Sequence, residues 1–131
     1  MKLITVVQAK EALKRLTEKR FTDFKIARKL VALRKQVETE TDFYIEQEKL
    51  AVETYAEKTE DGTPVFLADG RVKLKDSAAK TAFEADIKKL METEVDTIAP
   101  ITIKEKDFQS DSEIPSPSDM IALEGIVNFA E

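Results

Sequence analysis

Apolar residues recur at helical spacing through a long stretch of the chain, residues 22–58, which contains neither glycine nor proline. Intervals that are sums of three and four residues place these side chains on one face of a helix. They are Ile26, Leu30, Leu33, Val37, Tyr44, Ala51 and Tyr55. At about 1.5 Å per residue, an unbroken helix here would be roughly 50 Å long, against ~30 Å for the width of a small domain. The pattern predicts a long helix that extends beyond its own core.

The middle of this stretch, residues 38–42, is polar and contains two threonines, which are weak helix formers. A bend, or a departure of the helix from the core, is expected here, and the continuity of the helix is left open. Apolar side chains return beyond this point. If they lie outside the core, they need cover from a second copy or another protein. The predicted partner-binding residues are Phe43, Tyr44, Leu50 and Tyr55. The alternative is that a later helix covers them through Phe83, Ile87 and Leu90.

A short β-hairpin is predicted over residues 65–74, where Asp69-Gly70 separates two short apolar runs. Such a dipeptide favours a two-residue type I′ turn, in which both central residues have positive φ. This turn would place Ala68 opposite Arg71.

Helical spacing returns over residues 77–93, after a start at Asp76 or Ser77. The connection from the long helix runs through the β-hairpin, so the second helix can fold back antiparallel onto the first. Small alanines at 78, 79 and 82 would allow the two backbones to approach closely.

Shorter elements are predicted at both ends of the chain. A first helix is expected over residues 6–18, with Thr5 as its N-cap. Ser116 as N-cap, with Pro117 at the first helical position and Asp119 in the first turn, indicates a short helix near the C-terminus. Three segments with strand character are expected to form a small sheet: Met1–Ile4, Val95–Ile103 and Ile126–Phe129.

These elements predict a single α+β domain over residues 1–131. We expect it to be dominated by a long antiparallel helical hairpin, with a short β-hairpin and a small sheet formed by the terminal segments. A chain of this length is sufficient for one buried core.

The composition argues against several kinds of chemistry. There is no cysteine, hence no disulfide, no thiolate nucleophile and no zinc–thiolate site. There is also no histidine, which excludes Ser-His-Asp and Cys-His nucleophile systems. Gly-rich phosphate loops and calcium-loop spacing are missing as well. We therefore predict no catalytic residue, no cofactor and no metal, and we expect that the protein is not an enzyme. The lack of cysteine favours a reducing cytoplasm.

The net charge of −5 is unevenly distributed. Residues 2–35 hold eleven Lys or Arg and three Asp or Glu, whereas residues 92–131 hold two and ten. We expect the two ends to pack together and partly neutralise each other. Alternatively, the basic helix face could bind nucleic acid, or the acidic segment 104–131 could dock to a partner. The basic face comprises Arg28, Lys29, Arg34 and Lys35. An isoelectric point near 5.0 argues against nucleic acid as the partner.

The order of several segments is familiar from a group of small proteins. These segments are the MKLI start, the KIARKL-type basic helix, the EDG turn with a phenylalanine after it, the KLMETE helix end and the terminal PSPSDMIALEG. In this order the chain resembles small proteins encoded by phages and prophages of Gram-positive bacteria. The resemblance implies a phage origin, no catalysis, and a location in the bacterial host cytoplasm or in the virion. Its motifs are structural, so it assigns no functional residue.

The expected function is therefore non-catalytic and depends on protein–protein contacts, with a protein partner or a second copy of the chain. A virion structural or assembly accessory fits this description. The alternative is a small inhibitor of a host defence or nucleic-acid-binding protein, acting through its acidic C-terminal segment. No apolar run approaches the ~18 residues needed to span a membrane.

Overall fold

The computed structural model describes residues 1–131 and contains five α-helices, two β-strands and two short 3₁₀ turns. The elements are α1 (Leu3–Gln8), α2 (Lys10–Thr17), α3 (Phe24–Tyr55), α4 (Ser77–Met91), β1 (Ile101–Lys104), the 3₁₀ turns Glu105–Asp107 and Asp111–Glu113, α5 (Pro117–Ala122) and β2 (Val127–Ala130). The fold combines helix and strand, with one long helix and a small two-stranded parallel sheet, which confirms the α+β class.

The longest element, α3, is a single helix of 32 residues, about 48 Å in length. The Asp23 side chain caps it by accepting a hydrogen bond from the Lys25 N–H at 2.8 Å. Thr41, in the polar stretch, is buried, and its hydroxyl donates to the Val37 carbonyl at 2.8 Å. Because the preceding turn satisfies this hydroxyl, the threonine can face the core. The helix is therefore continuous through residues 38–42 and stays on the core as far as Tyr44.

The buried side chains divide the molecule into two parts. All but one of the 19 buried residues lie in residues 1–44 or 95–131, which we call the globule. The exception is Ala56, which lies within residues 45–94, the part that we call the arm. The arm comprises the end of α3, the hairpin region and α4. The long helix thus passes from a packed core into a thinner extension.

The N-terminal segment differs from its expected structure. Met1–Ile4 is not an edge strand, because α1 begins at Leu3 and buries both Leu3 and Val6 completely. Lys2, and not Thr5, occupies the N-cap position. The β-branched residues of this segment favour a strand, but burial of one helical face outweighs that preference. The single predicted helix is instead two consecutive helices, α1 and α2, which meet at one alanine.

The sheet is smaller than expected. β1 and β2 pair in parallel, with Ile101 opposite Val127 and Ile103 opposite Phe129. Ile103 and Val127 are buried and anchor the sheet on the globule core. The N-terminal segment contributes only one bridge elsewhere, between Lys2 and Glu94, so its predicted place in this sheet is wrong.

Three extended segments meet where α3 ends, and they close a ring of backbone hydrogen bonds. The Glu57 N–H donates to the Lys73 carbonyl, the Lys73 N–H to the Val65 carbonyl, and the Val65 N–H to the Glu57 carbonyl, each at 2.8 Å. Each segment divides its hydrogen bonds between two neighbours. The segments therefore form isolated bridges, such as Phe66 with Val72, and not a regular sheet.

The hairpin turn is one residue longer than predicted. Only glycines have positive φ in this protein, so Asp69 cannot occupy a type I′ position. The Gly70 N–H donates to the Leu67 carbonyl at 2.9 Å, and the Leu67 N–H donates to the Arg71 carbonyl at 2.7 Å. These bonds, with a φ of 86° at Gly70, define a three-residue loop with a glycine bulge. Leu67 therefore faces Arg71, and the predicted pairing of Ala68 with Arg71 is wrong.

Helix α4 packs on α3 but buries none of its own residues. It starts at Asp76, whose side chain accepts from the Ala79 N–H at 2.7 Å. The Tyr55 hydroxyl donates to the Asp86 carboxylate at 2.9 Å. The Tyr55 ring meets the Phe83 ring edge-on, at a centroid separation of 6.5 Å. The two helices thus pack directly on each other, and Leu90 and Met91 at the end of α4 also pack against the globule core.

The basic and acidic ends of the chain pack together, as their opposite charges suggested. The Arg15 guanidinium binds the Asp119 carboxylate, with contacts of 2.7 and 3.0 Å. The Arg20 N–H donates to the Glu113 carboxylate at 2.9 Å. These contacts hold α5 and its preceding loop against α2 and the residues that follow it.

Replacement of Asp119 by asparagine should reduce the acid sensitivity of the fold. The hydrogen bonds from Arg15 hold the pKa of Asp119 below its ordinary value. Since the folded pKa is the lower one, this pair stabilises the fold at neutral pH, and the contribution is lost as pH falls through that pKa. We therefore expect Asp119→Asn to melt earlier than the wild type at neutral pH and to lose less stability on acidification. Thermal melts at several pH values test this, with the exposed Asp96→Asn as control. Parallel pH curves for Asp119→Asn and the wild type would contradict it.

Candidate functional site

Exposed apolar side chains are concentrated towards the arm. Eight large apolar residues of the chain are exposed, and five of them lie between residues 43 and 67. These five are Phe43, Ile45, Leu50, Phe66 and Leu67. Exposed apolar side chains that are concentrated in one region mark interaction sites more often than scattered ones do. The arm and its base therefore form the candidate functional surface.

The structure separates the four predicted partner-binding residues. Phe43 and Leu50 are 47% and 49% exposed. Tyr44 is buried in the core, one heptad beyond Val37 on the inner face of α3, so its prediction as a surface residue is wrong. Tyr55 is half-buried and already occupied by its hydrogen bond to Asp86. Two of the four residues thus remain available to a partner.

Helix α4 supplies part of the cover that the sequence allowed as an alternative. Leu50 and Ala51 line a shallow recess together with Ile87 and Leu90 of α4. Leu50 nevertheless keeps about half of its surface exposed, because no further element lies over this side of the helix pair. The cover from α4 is therefore incomplete.

A recess with a volume of about 770 Å³ lies on another side of the arm. Its walls come from α3, the hairpin and the start of α4, and we call it the arm groove. The apolar residues that line it are Val52, Phe66, Leu67, Val72, Leu74 and Phe83. The charged residues that line it, all of them exposed, are Glu48, Arg71, Lys73, Asp76, Lys80 and Glu84. An apolar centre with a charged, solvent-exposed rim is the usual anatomy of a protein–protein interface.

Ion pairs neutralise the two basic residues that the hairpin contributes to the rim. Arg71 contacts the Asp69 carboxylate at 2.7 Å, and Lys73 contacts Glu57 at 3.0 Å. The pKa of Asp69 is lowered, first by the Arg71 backbone N–H and then by its guanidinium. Rim charges of this kind contribute little affinity but favour particular partners.

The predicted basic face does not form one patch. Arg34 is turned towards α2, where it donates to the Thr17 hydroxyl at 3.1 Å, and it also pairs with Glu38 at 2.9 Å. Arg28 and Lys35 are exposed and, seven residues apart, share one side of α3. Lys29 is exposed but lies about 100° around the helix from Arg28, at 3.6 residues per turn. The four side chains therefore point in three different directions, and only Arg28 and Lys35 share a side.

Three carboxylates of the acidic C-terminal segment are engaged within the chain. Besides Glu113 and Asp119, the Asp107 carboxylate accepts a hydrogen bond from the Lys104 N–H at 2.8 Å. No group of three or more carboxylates is arranged to hold a metal ion. None of the helices combines the length and the apolar character needed to cross a lipid bilayer.

The arm groove was not predicted from the sequence. The groove is assembled from residues as far apart as Glu48 and Glu84, and their proximity depends on the packing of α4 against α3.

Comparisons with models of protein families, with curated proteins and with solved structures return no match for this chain.

Proposed function

We propose that this protein is not an enzyme and acts through protein–protein contacts made by its arm. The observation that carries the proposal is the distribution of burial: residues 45–94 contain a single buried residue and an apolar groove with a charged rim. Burial of apolar surface stabilises a protein by about 25 cal/mol per Å². Side chains such as Phe66, left 59% exposed, retain that free energy for association with a partner.

In this proposal, α3 and α4 act as an antiparallel helical hairpin that holds the groove away from the globule. Two contacts support the antiparallel arrangement. Tyr55, the last residue of α3, bonds to Asp86 within α4 at 2.9 Å. Glu40, in the middle of α3, accepts from the Thr97 hydroxyl beyond the end of α4 at 3.0 Å. The later position in α3 therefore contacts the earlier position of the α4 region, as an antiparallel pair requires.

A virion structural or assembly accessory, located in the bacterial host cytoplasm or in the virion, is the role that we propose for such an arm. The resemblance to small phage and prophage proteins supports this setting. Assembly proteins work by association, and an arm with uncovered apolar surface suits that use.

The two alternatives find less support. The inhibitor hypothesis needs a free acidic strip, whereas Asp107, Glu113 and Asp119 accept hydrogen bonds from their own chain. The nucleic-acid hypothesis needs a continuous basic patch, whereas Arg34 is turned away from Arg28 and Lys35.

A photo-reactive amino acid placed at Leu67, in the arm groove, tests the proposed function. With the full chain expressed in phage-infected cells, we expect covalent adducts at Leu67 and also at Leu50. Ile121, which is 68% exposed on α5 in the globule, is the matched control and should yield few adducts. If Leu67 and Leu50 give no more adducts than Ile121, the arm is not a contact surface and the proposal fails.

A further inference from the structure

We infer that the outer face of α3 binds a second copy of this chain, antiparallel to the first and across a two-fold axis. The two halves of this face carry opposite charges, and an antiparallel copy presents them in the reverse order. The inference goes beyond the proposed function, because it concerns a different surface from the arm groove.

The charged residues of α3 are segregated along its length. Residues 24–37, the basic half, contain five Lys or Arg and no Asp or Glu. Residues 38–53, the acidic half, contain six Asp or Glu and a single base, Lys49. Like charges at helical spacing, such as Asp42 and Glu46, repel each other within the helix. A partner that faces each half with the opposite charge removes this repulsion.

Five of these charged side chains form one line along the helix, which we call the charge stripe. At 3.6 residues per turn, they fall within about 40° of one another. All five are exposed, and none forms an ion pair within the chain. Two bases and three acids are therefore free to pair with another molecule. The residues of the charge stripe are Arg28, Lys35, Asp42, Glu46 and Glu53.

The charge stripe lies on the side of α3 that faces away from the rest of the molecule. Val37 and Tyr44, which face the core, lie about 160° and 180° around the helix from Lys35. Tyr55, which bonds to Asp86 of α4, follows Val37 by about five full turns and so lies on the same side as the core. The packed core and α4 therefore leave the charge stripe open.

One antiparallel register places both bases of the charge stripe opposite acids. With the two-fold axis between residues 40 and 41, Arg28 of one copy lies at the level of Glu53 of the other. Lys35 then lies at the level of Glu46. The symmetry forms each of these pairs twice, because a two-fold contact brings the same surface of both copies together.

The neighbours of the charge stripe also suit this register. Val31 and Leu50, which are 47% and 49% exposed, flank the stripe and come to the same level. They add apolar area to the contact. Lys49, the single base of the acidic half, comes to the level of Ala32 and so meets no like charge.

The order of the charges favours a second copy over other occupants. A nucleic acid carries negative charge along its whole length, so the acidic half would repel it. A uniformly basic partner would be repelled by Arg28 and Lys35 in the same way. The occupant must present acids to the basic half and bases to the acidic half. A second α3, turned end to end, presents its charges in this order.

Sedimentation velocity of the purified full chain, over a wide range of concentration, tests the inference. At low salt we expect the molar mass to rise with concentration from 14.8 kDa towards twice that value. At about 1 M salt the dimer should weaken, because salt screens ion pairs at an exposed surface.

Charge reversal within the stripe should weaken the dimer. Lys35→Glu places like charges opposite each other and should raise the dissociation constant at least about tenfold. Lys29→Glu makes the same change in net charge at an exposed position about 120° around the helix from Lys35, and it should have little effect. Glu46→Lys should also weaken the dimer, although it makes the net charge of −5 smaller and so reduces the general repulsion between copies.

The double variant Lys35→Glu/Glu46→Lys exchanges the two charges and provides the sharpest test. It should return the dissociation constant to within about threefold of the wild-type value, because the pair is restored with its polarity reversed. Circular dichroism should show that all variants keep the helical content of the wild type.

Three results would overturn the inference: a monomer at every concentration, a dimer that neither single reversal weakens, or a double variant that remains as weak as the single ones. A dimer that only Leu67→Glu weakens would form through the arm groove and would overturn it too. Adducts between Leu67 and a different protein do not depend on any of these results, so the proposed function is tested separately.

Discussion

Leu30→Ala should lower the free energy of unfolding by about 3 kcal/mol, whereas Leu50→Ala on the same helix should lower it by less than about 1 kcal/mol. Leu30 is fully buried in the globule core, and Leu50 is 49% exposed in the arm. Truncation of a buried leucine removes its transfer free energy and leaves a cavity, whereas truncation of an exposed one does neither fully. Both substitutions replace leucine with alanine within α3, so helix propensity contributes equally to the two values.

Urea denaturation, followed by circular dichroism at low protein concentration, measures both losses. Low concentration removes any stabilisation from association, which would otherwise increase the loss measured for Leu50→Ala. Comparable losses at the two positions would mean that the arm belongs to the packed core, and the division into globule and arm would be wrong.

The elements with strong local signals are those that the sequence alone could predict. Residues 22–58 lack glycine and proline and keep one apolar stripe, and the structure places α3 within two or three residues of the predicted limits. The start of α5 was equally predictable. The Ser116 hydroxyl caps the helix by accepting a hydrogen bond from the Asp119 N–H at 3.2 Å, and Pro117 occupies the first helical position. Caps and periodicity act within a few residues and do not depend on the rest of the fold.

The N-terminus and the hairpin turn were mispredicted because local preferences were outweighed or ambiguous. Leu3 and Val6 lie in a β-branched segment, but only tertiary packing shows that their shared helical face is buried. Asp69-Gly70 suits either a two-residue turn or a three-residue loop that ends in glycine. Only the hydrogen bond between Leu67 and Arg71 decides between them, and its partners belong to opposite sides of the hairpin.

The candidate site was harder to predict than the fold. Tyr44 belonged to the apolar stripe that also contains Val37, so its burial could have been read from the spacing alone. The arm groove could not, because it unites α3, the hairpin and α4, and no local pattern specifies how these three meet. The exposure of Phe66 and Leu67 likewise depends on where the hairpin lies in the tertiary structure.

Amide hydrogen exchange along α3 should reveal two stabilities within one continuous helix. In the monomer, we expect amides of residues 33–41 to exchange at least about 100-fold more slowly than those of residues 48–54. Opening the first range exposes core side chains such as Leu33 and Val37, which are 2% and 1% exposed. Opening the second range exposes only residues that are already partly in water, since Ala56 is the only buried residue of the arm.

The concentration dependence of exchange then separates an intrinsic property of the arm from an effect of association. If copies of the chain associate through the arm groove, arm amides should slow at high protein concentration, whereas those of residues 33–41 should keep their rates, because association stabilises only the region that it covers. Leu67→Glu, in the arm groove, should abolish such slowing, and Phe24→Glu, at an exposed residue of the globule, should preserve it. Uniform protection along α3 in the monomer would show that the globule and the arm unfold as one unit. The arm would then differ from the globule in its exposed apolar surface and not in its local stability.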